Sequence, residues 1–190
     1  MNYWMLVTTP ENFAVTKGLN FEVQGFSRRQ KRKTDRMSPG DRLLFYVTGW
    51  RVFPVAATLQ STTFSDTSPL WANHRPEETF PHRVRIRVTA ILPEDKYLDA
   101  LEIAPRLEYI RRWPPDRWLL AFEEELHLLP RRDFELIEGE LSRLLGKAPE
   151  TPISRPRGQF NKKRGARKTS SPTEGDAPAD YTLHTDVQPQ

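Results

Sequence analysis

The chain has no cysteine among its 190 residues. That absence excludes disulfides and thiolate metal ligands, and it suits a reducing compartment. No apolar run approaches the roughly 18 residues that a membrane-spanning helix needs. There is no nucleophile elbow and no glycine loop of the kind that cradles phosphate. The histidines, His74, His82, His127 and His184, lack metal-ligand spacing. No enzyme activity, cofactor or metal is therefore expected. The first apolar run, Tyr3 to Thr8, begins without a charged leader or a cleavable segment, so a cytoplasmic protein is expected.

Apolar residues make up only 37% of the chain and prolines number 17, but these averages mix two unlike regions. Residues 1–146 carry 21 basic and 20 acidic side chains, whereas residues 147–190 carry 8 and 5. Most of the net charge of +4 thus sits in the second region, and a polyanion site in the first must come from local clustering. The second region holds six prolines and only Phe160 and Tyr181 as aromatics. It cannot bury enough apolar surface to offset its ordering entropy, so a disordered basic, Pro-rich tail is expected over 147–190.

Within 1–146 the periodicity alternates between strand and helix. Tyr3 to Thr8 reads as a buried strand. Thr9-Pro10-Glu11 opens a helix, with a hydroxyl cap, proline in the first turn and an early acid, and Gly18 ends it. Phe21 to Phe26 is partly apolar and leads to Ser27, a candidate cap for a second helix. Ser38-Pro39-Gly40-Asp41 is a turn. Strands follow at Leu43 to Thr48 and Val52 to Thr63, with Pro54 marking an edge or a bulge. Arg83 to Val88 alternates, with Val84, Ile86 and Val88 on one face and Arg83, Arg85 and Arg87 on the other. Pro105 could open a short helix, and Glu125 to Leu129 reads as a strand. Pro130 to about Leu145 has helical spacing at Phe134, Ile137, Leu141, Leu144 and Leu145.

Four groups of residues invite a functional reading. Arg28 to Arg36 packs six cations and one acid into nine residues, which suits a phosphate backbone or a solvated helix face. Phe21, Phe26, Tyr46, Trp50, Trp71 and Phe80 are flat side chains of the kind that stack on bases or fill a core. Trp71 stands out because its loop is polar and Pro-flanked, and Trp50 falls in a tight turn between strands. The arginine stripe beginning at Arg83 is a phosphate track or an outward sheet face. Arg155 to Lys168 holds seven cations and no acid, as a flexible nucleic-acid arm or a solubilising extension would. Glu123-Glu124-Glu125 reads as a solvated acidic patch at a turn.

Tyr3-Trp4, Pro39-Gly40-Asp41, Leu43 to Gly49, Ser68-Pro69-Leu70-Trp71 and Phe80-Pro81-His82-Arg83-Val84-Arg85-Ile86 occur in this order. The set resembles the EVE domain, a PUA-like β-barrel related to the YTH readers of methylated adenine. The resemblance implies an α+β domain over 1–146, a barrel with flanking helices. It also implies a non-catalytic module that reads a modified base, such as 5-methylcytosine or 5-hydroxymethylcytosine in DNA. Alternatives are a module for a modified base in tRNA or other structured RNA, and a protein-interaction adaptor. By this resemblance Trp71, Phe21, Gln24 and Phe26 line the base pocket and Tyr46 flanks its opening; Trp50 is expected among the base-binding residues. Arg28, Arg29, Lys31, Arg32, Lys33 and Arg83 hold the backbone. Many EVE sequences place Trp-Gly where this chain has Gln24-Gly25, so Phe21 or Phe26 is expected to supply the missing wall.

Overall fold

A computed structural model describes residues 1–72 and 78–146. The predicted tail, including Arg155 to Lys168, lies outside the described residues. Eight strands form one curled mixed sheet: β1 (Tyr3–Thr8), β2 (Val23–Phe26), β3 (Arg42–Val47), β4 (Val52–Leu59), β5 (Phe64–Ser65), β6 (His82–Ile91), β7 (Leu98–Asp99) and β8 (Leu126–Leu128). The order across the sheet is β2-β6-β4-β3-β1-β8, with β5 added on β6 and β7 on β4. β1 and β3 run parallel, Trp4 beside Leu43 and Leu6 beside Phe45, and their neighbours run antiparallel. Four α-helices flank the sheet: α1 (Pro10–Gly18), α2 (Lys31–Thr34), α3 (Ala100–Ile103) and α4 (Arg131–Leu144). The expected α+β barrel with flanking helices is present as a curled half-barrel.

The central strands bury both faces, which is why β1 and β3 read as continuous apolar runs rather than alternating ones. Trp4, Leu6, Leu43, Phe45 and Val47 point into one core, shared with Phe13 of α1, Phe21 and Phe26. Tyr3, Met5, Val7, Leu44 and Tyr46 point into the other, under Phe134, Ile137 and Leu141 of α4. Asp133, buried at the start of α4, accepts the backbone N–H groups of Glu108 (2.9 Å) and Tyr109 (2.6 Å) and so ties the irregular 104–112 segment to that helix.

Pro54 lies where the β3–β4 register shifts, the bulge a residue without an N–H permits. Asp41 follows the Pro39-Gly40 turn and accepts from Asn2 N (2.7 Å), Trp4 Nε1 (3.0 Å) and Ser38 N (3.2 Å). Burial acts to raise its pKa, but these donors outweigh it and hold the carboxyl below its ordinary value.

Two local expectations are corrected. The stretch after Ser27 is a 3₁₀ turn, Arg28–Gln30, followed by the single turn α2, and the Ser27 side chain makes no cap bond. The segment from Pro105 is a pair of 3₁₀ turns, Ala104–Arg106 and Tyr109–Arg112, rather than one helix.

Among the described residues the outer strands β2 and β8 share no ladder, but side chains close the gap between them. Ser27 N, just past β2, donates to Glu125 Oε1 at 2.8 Å, just before β8. Lys33 Nζ donates to the Leu126 carbonyl at 2.7 Å and pairs with Glu124. The seam puts the basic segment and the acidic turn side by side.

Candidate nucleic-acid interface

Beside that seam lies a cavity of about 370 Å³, within the range typical of ligand pockets, roughly 300–1,000 Å³. β1 and the first turn of α1 form one side, through Leu6, Thr8 and Asn12. Gln24 and Gly25 of β2 form another, and Trp71, Phe80, Glu123 and Glu125 complete the wall.

The helix start builds this geometry. Thr9 Oγ1 accepts Asn12 N at 3.3 Å and fixes the first turn of α1. Asn12 and Thr16, four residues apart, then share one face. The Asn12 amide holds Ala72 twice, donating to its carbonyl (2.7 Å) and accepting its N–H (2.9 Å). Thr16 Oγ1 accepts Trp71 Nε1 at 2.9 Å and donates to Gln24 Oε1 at 2.9 Å, while Gln24 Nε2 donates to the Gly25 carbonyl at 2.6 Å. A Cβ on Gly25 would stand 2.5 Å from the Trp71 ring, so glycine here is what lets the indole lie against β2. The Arg83 guanidinium lies 5.1 Å from the same ring centroid, a cation–π contact, and is itself bound by Asp66 and the Ser68 carbonyl. Trp71 is thus a fixed wall, only 5% exposed, with open space beside it.

Of the pocket residues expected from sequence, Trp71 and Gln24 line the cavity. Phe21, Phe26 and Tyr46 do not, and are corrected to core residues. Phe21 meets Phe45 edge-on at 5.9 Å, Phe26 is fully buried in the same core, and Tyr46 stacks on Phe122 at 4.5 Å on the other side of the sheet. Trp50 is 49% exposed, as a turn residue should be, but packs against Phe13 and Tyr97 and does not line the cavity. The second aromatic on the wall is Phe80.

The backbone-binding set also divides. Arg83 is buried and ion-paired, so the arginine stripe starts at Arg85, and Arg83 is corrected from a phosphate contact to a support for Trp71. Arg29 pairs with Glu78, Lys31 with Asp35 and Lys33 with Glu124. Arg28, Arg32 and Arg36 are exposed and form no ion pair among the described residues. Arg28 N donates to the Thr79 carbonyl at 3.2 Å, next to Phe80, so the basic segment begins on the cavity rim.

Glu125 belongs to an acidic run expected to be solvated, yet it lines the cavity. Burial pushes its carboxyl up from the usual value, opposed by the Ser27 hydroxyl, the Ser27 N–H and Lys33, and reinforced by Glu78. His127 steadies the same turn. Its Nε2 donates to the Glu124 carbonyl (2.6 Å), which fixes the tautomer, and Nδ1 accepts from the Tyr109 hydroxyl (2.6 Å). Burial holds His127 below its ordinary pKa. A run of three glutamates carries no sequence signal that one of them faces inward. The Asn12/Thr16 spacing was available as a signal, since it follows from the helix start.

Known proteins share this architecture. A UPF0310 protein of Pyrococcus abyssi is 32% identical over 152 residues, covering 74% of this chain and all of that one. A UPF0310 protein of Pyrococcus horikoshii is 29% identical over 148 residues, covering 73% and 97%. Among solved structures, the YTH domain of mmi1 in an RNA complex superposes with a TM-score of 0.54 at 10% identity, covering 77% of this chain and 88% of that one. The YTH domain of a Zygosaccharomyces rouxii protein, in complex with N6-methyladenosine RNA, gives 0.51 at 13%, covering 73% and 86%. The EVE domain model matches residues 2–117, and the chain belongs to the EVE domain family.

Proposed function

We propose that this protein is a non-catalytic nucleic-acid reader that takes an unstacked base, carrying a modification such as a 5-methyl or 5-hydroxymethyl group on cytosine, into the cavity beside Trp71. The observation that carries the reading is the junction of two features. A rigid aromatic wall borders a cavity of base-compatible size, and a segment whose exposed arginines form no ion pair among the described residues is hydrogen-bonded to its rim. Stacking on such a wall contributes about 1–3 kcal/mol, which helps offset the few kcal/mol needed to extrude a base from a duplex. Arg28, Arg32 and Arg36 supply phosphate contacts that position the strand. Domain 1–146 is the reader, and the basic tail adds sequence-independent affinity.

RNA is the second reading, because two of the similar folds were solved with RNA. Binding to a matched panel of DNA and RNA oligonucleotides, each with one modified base, separates the two. Trp71→Leu should lose most discrimination between modified and plain oligonucleotides while still melting cooperatively. Unchanged discrimination in the folded variant would remove the cavity from the account.

A further inference from the structure

The polar side chains around the cavity are largely committed to one another. Gln24 is held by Thr16 and the Gly25 carbonyl, and Asn12 by Ala72. Thr48 Oγ1 donates to the Thr8 carbonyl at 3.2 Å. Such groups shape the wall but have little left with which to read a base edge.

Glu125 differs. Its carbonyl accepts Val7 N at 2.8 Å, which pins its backbone to β1. Its Oε1 accepts Ser27 N at 2.8 Å, which pins the side chain. A carboxyl group has two oxygens and about four lone-pair sites, so the contacts from the Ser27 N–H and hydroxyl still leave capacity for a ligand. Glu125 is therefore held in place on the wall it shares with Trp71, as a specificity group must be.

Resting on the reader proposal, we infer that the cavity selects a base with an exocyclic amino group, and that the Glu125 carboxyl is the acceptor that reads it. Glutamate accepts from the amino group of cytosine, and the amino group of adenine is a donor of the same kind. Thymine and uracil present an oxygen at the equivalent position, and two acceptors facing each other repel. Glu125 thereby turns a stacking pocket, tolerant of any flat ring, into one that sorts bases by the hydrogen bond at one edge. It also gives the acidic turn a role that a solvated patch would not have.

The test uses the full chain and single-stranded oligonucleotides that differ at one base. 5-Methylcytosine and thymine form one pair, sharing the methyl group and differing in the amino or oxo group. Adenine and hypoxanthine form the other. Wild type should prefer the amino base in at least one pair by about tenfold or more, the scale of one charge-assisted hydrogen bond. Glu125→Gln keeps an oxygen for Ser27 but its amide can donate as well as accept, so the preference should fall to about twofold or less. Glu102→Gln removes the same charge from an exposed position on α3, outside the cavity lining, and should keep the preference. A preference that survives Glu125→Gln overturns this inference and leaves the cavity reading intact. Loss in Glu102→Gln alone also overturns it. If neither Trp71→Leu nor Phe80→Ala alters binding, the reader proposal itself fails. Should Glu125→Gln melt early, Glu125→Asp, which shortens the reach but keeps the acceptor, must also weaken the preference.

Discussion

Gly25 and Trp71 show how closely the site is specified at the level of single residues. Gly25→Ala places a methyl group 2.5 Å from the indole carbons, and the ring, hydrogen-bonded at Nε1 and faced by Arg83, has no simple way to yield. The expected cost is about 1–3 kcal/mol, the usual range for overpacking, and denaturant unfolding would read it as a lower midpoint. A variant as stable as wild type would show that the indole is not fixed. Glu125 makes a prediction of opposite sign. Its folded-state pKa is raised, so the folded protein holds the proton more tightly than the unfolded chain. The charged carboxylate therefore destabilises the fold as pH rises from the ordinary value of 4.5 through the raised one. Glu125→Gln should melt higher than wild type at neutral pH, with the gap closing towards pH 4.5. A gap that widens on acidification would contradict the assignment. Trp71 was legible in the sequence because an indole in a polar, proline-flanked loop needs a reason to be there. Phe21, Phe26 and Tyr46 were not, because an aromatic on a buried strand, or in the turn leading into one, looks the same whether it meets a cavity or a core.

At the level of elements, the helix start at Thr9-Pro10 was readable from its residue chemistry, and it places Asn12 and Thr16 under the Trp71 loop. The basic segment was legible by composition but not by conformation. The Ser27 side chain makes no cap bond, and the chain enters a 3₁₀ turn rather than a long capped helix. That local geometry decides which cations are available. Arg28 and Arg32 remain exposed, whereas Lys33 is tied across the seam to Glu124 and the Leu126 carbonyl. The double variant Arg28→Ala, Arg32→Ala should weaken binding to modified and plain oligonucleotides alike. It should also reduce the slope of log affinity against log salt by about 1.4–1.8, since each lost phosphate contact removes about 0.7–0.9. Affinity measured from low to moderate salt checks this, and an unchanged slope would place the phosphate track elsewhere. Arg83→Ala should behave differently, lowering stability through loss of the Asp66 and Trp71 contacts.

Over the whole molecule, the order of strands and helices followed from hydrophobic period and turn chemistry, and the family followed from ordered motifs. The curl followed only from the family resemblance, and the residues it joins were not legible. Closing the sheet towards a barrel brings residues 27 and 125, far apart in the chain, into hydrogen-bond contact, and the cavity exists because of that closure. A buried methyl group contributes about 0.8 kcal/mol, so a cavity that encloses one extra methyl should discriminate about fourfold, with polar contacts adding to this. The chain has five tryptophans, so labelling the indole nitrogens gives five N–H signals, and Trp71→Phe assigns the one that matters. Titrating the full chain with an oligonucleotide carrying the preferred modified base should shift the Trp71 indole signal most, and the unmodified oligonucleotide should shift it less. A saturated complex in which the Trp71 signal stays in place, while those of exposed tryptophans such as Trp50 move, would contradict the claim that the base enters this cavity.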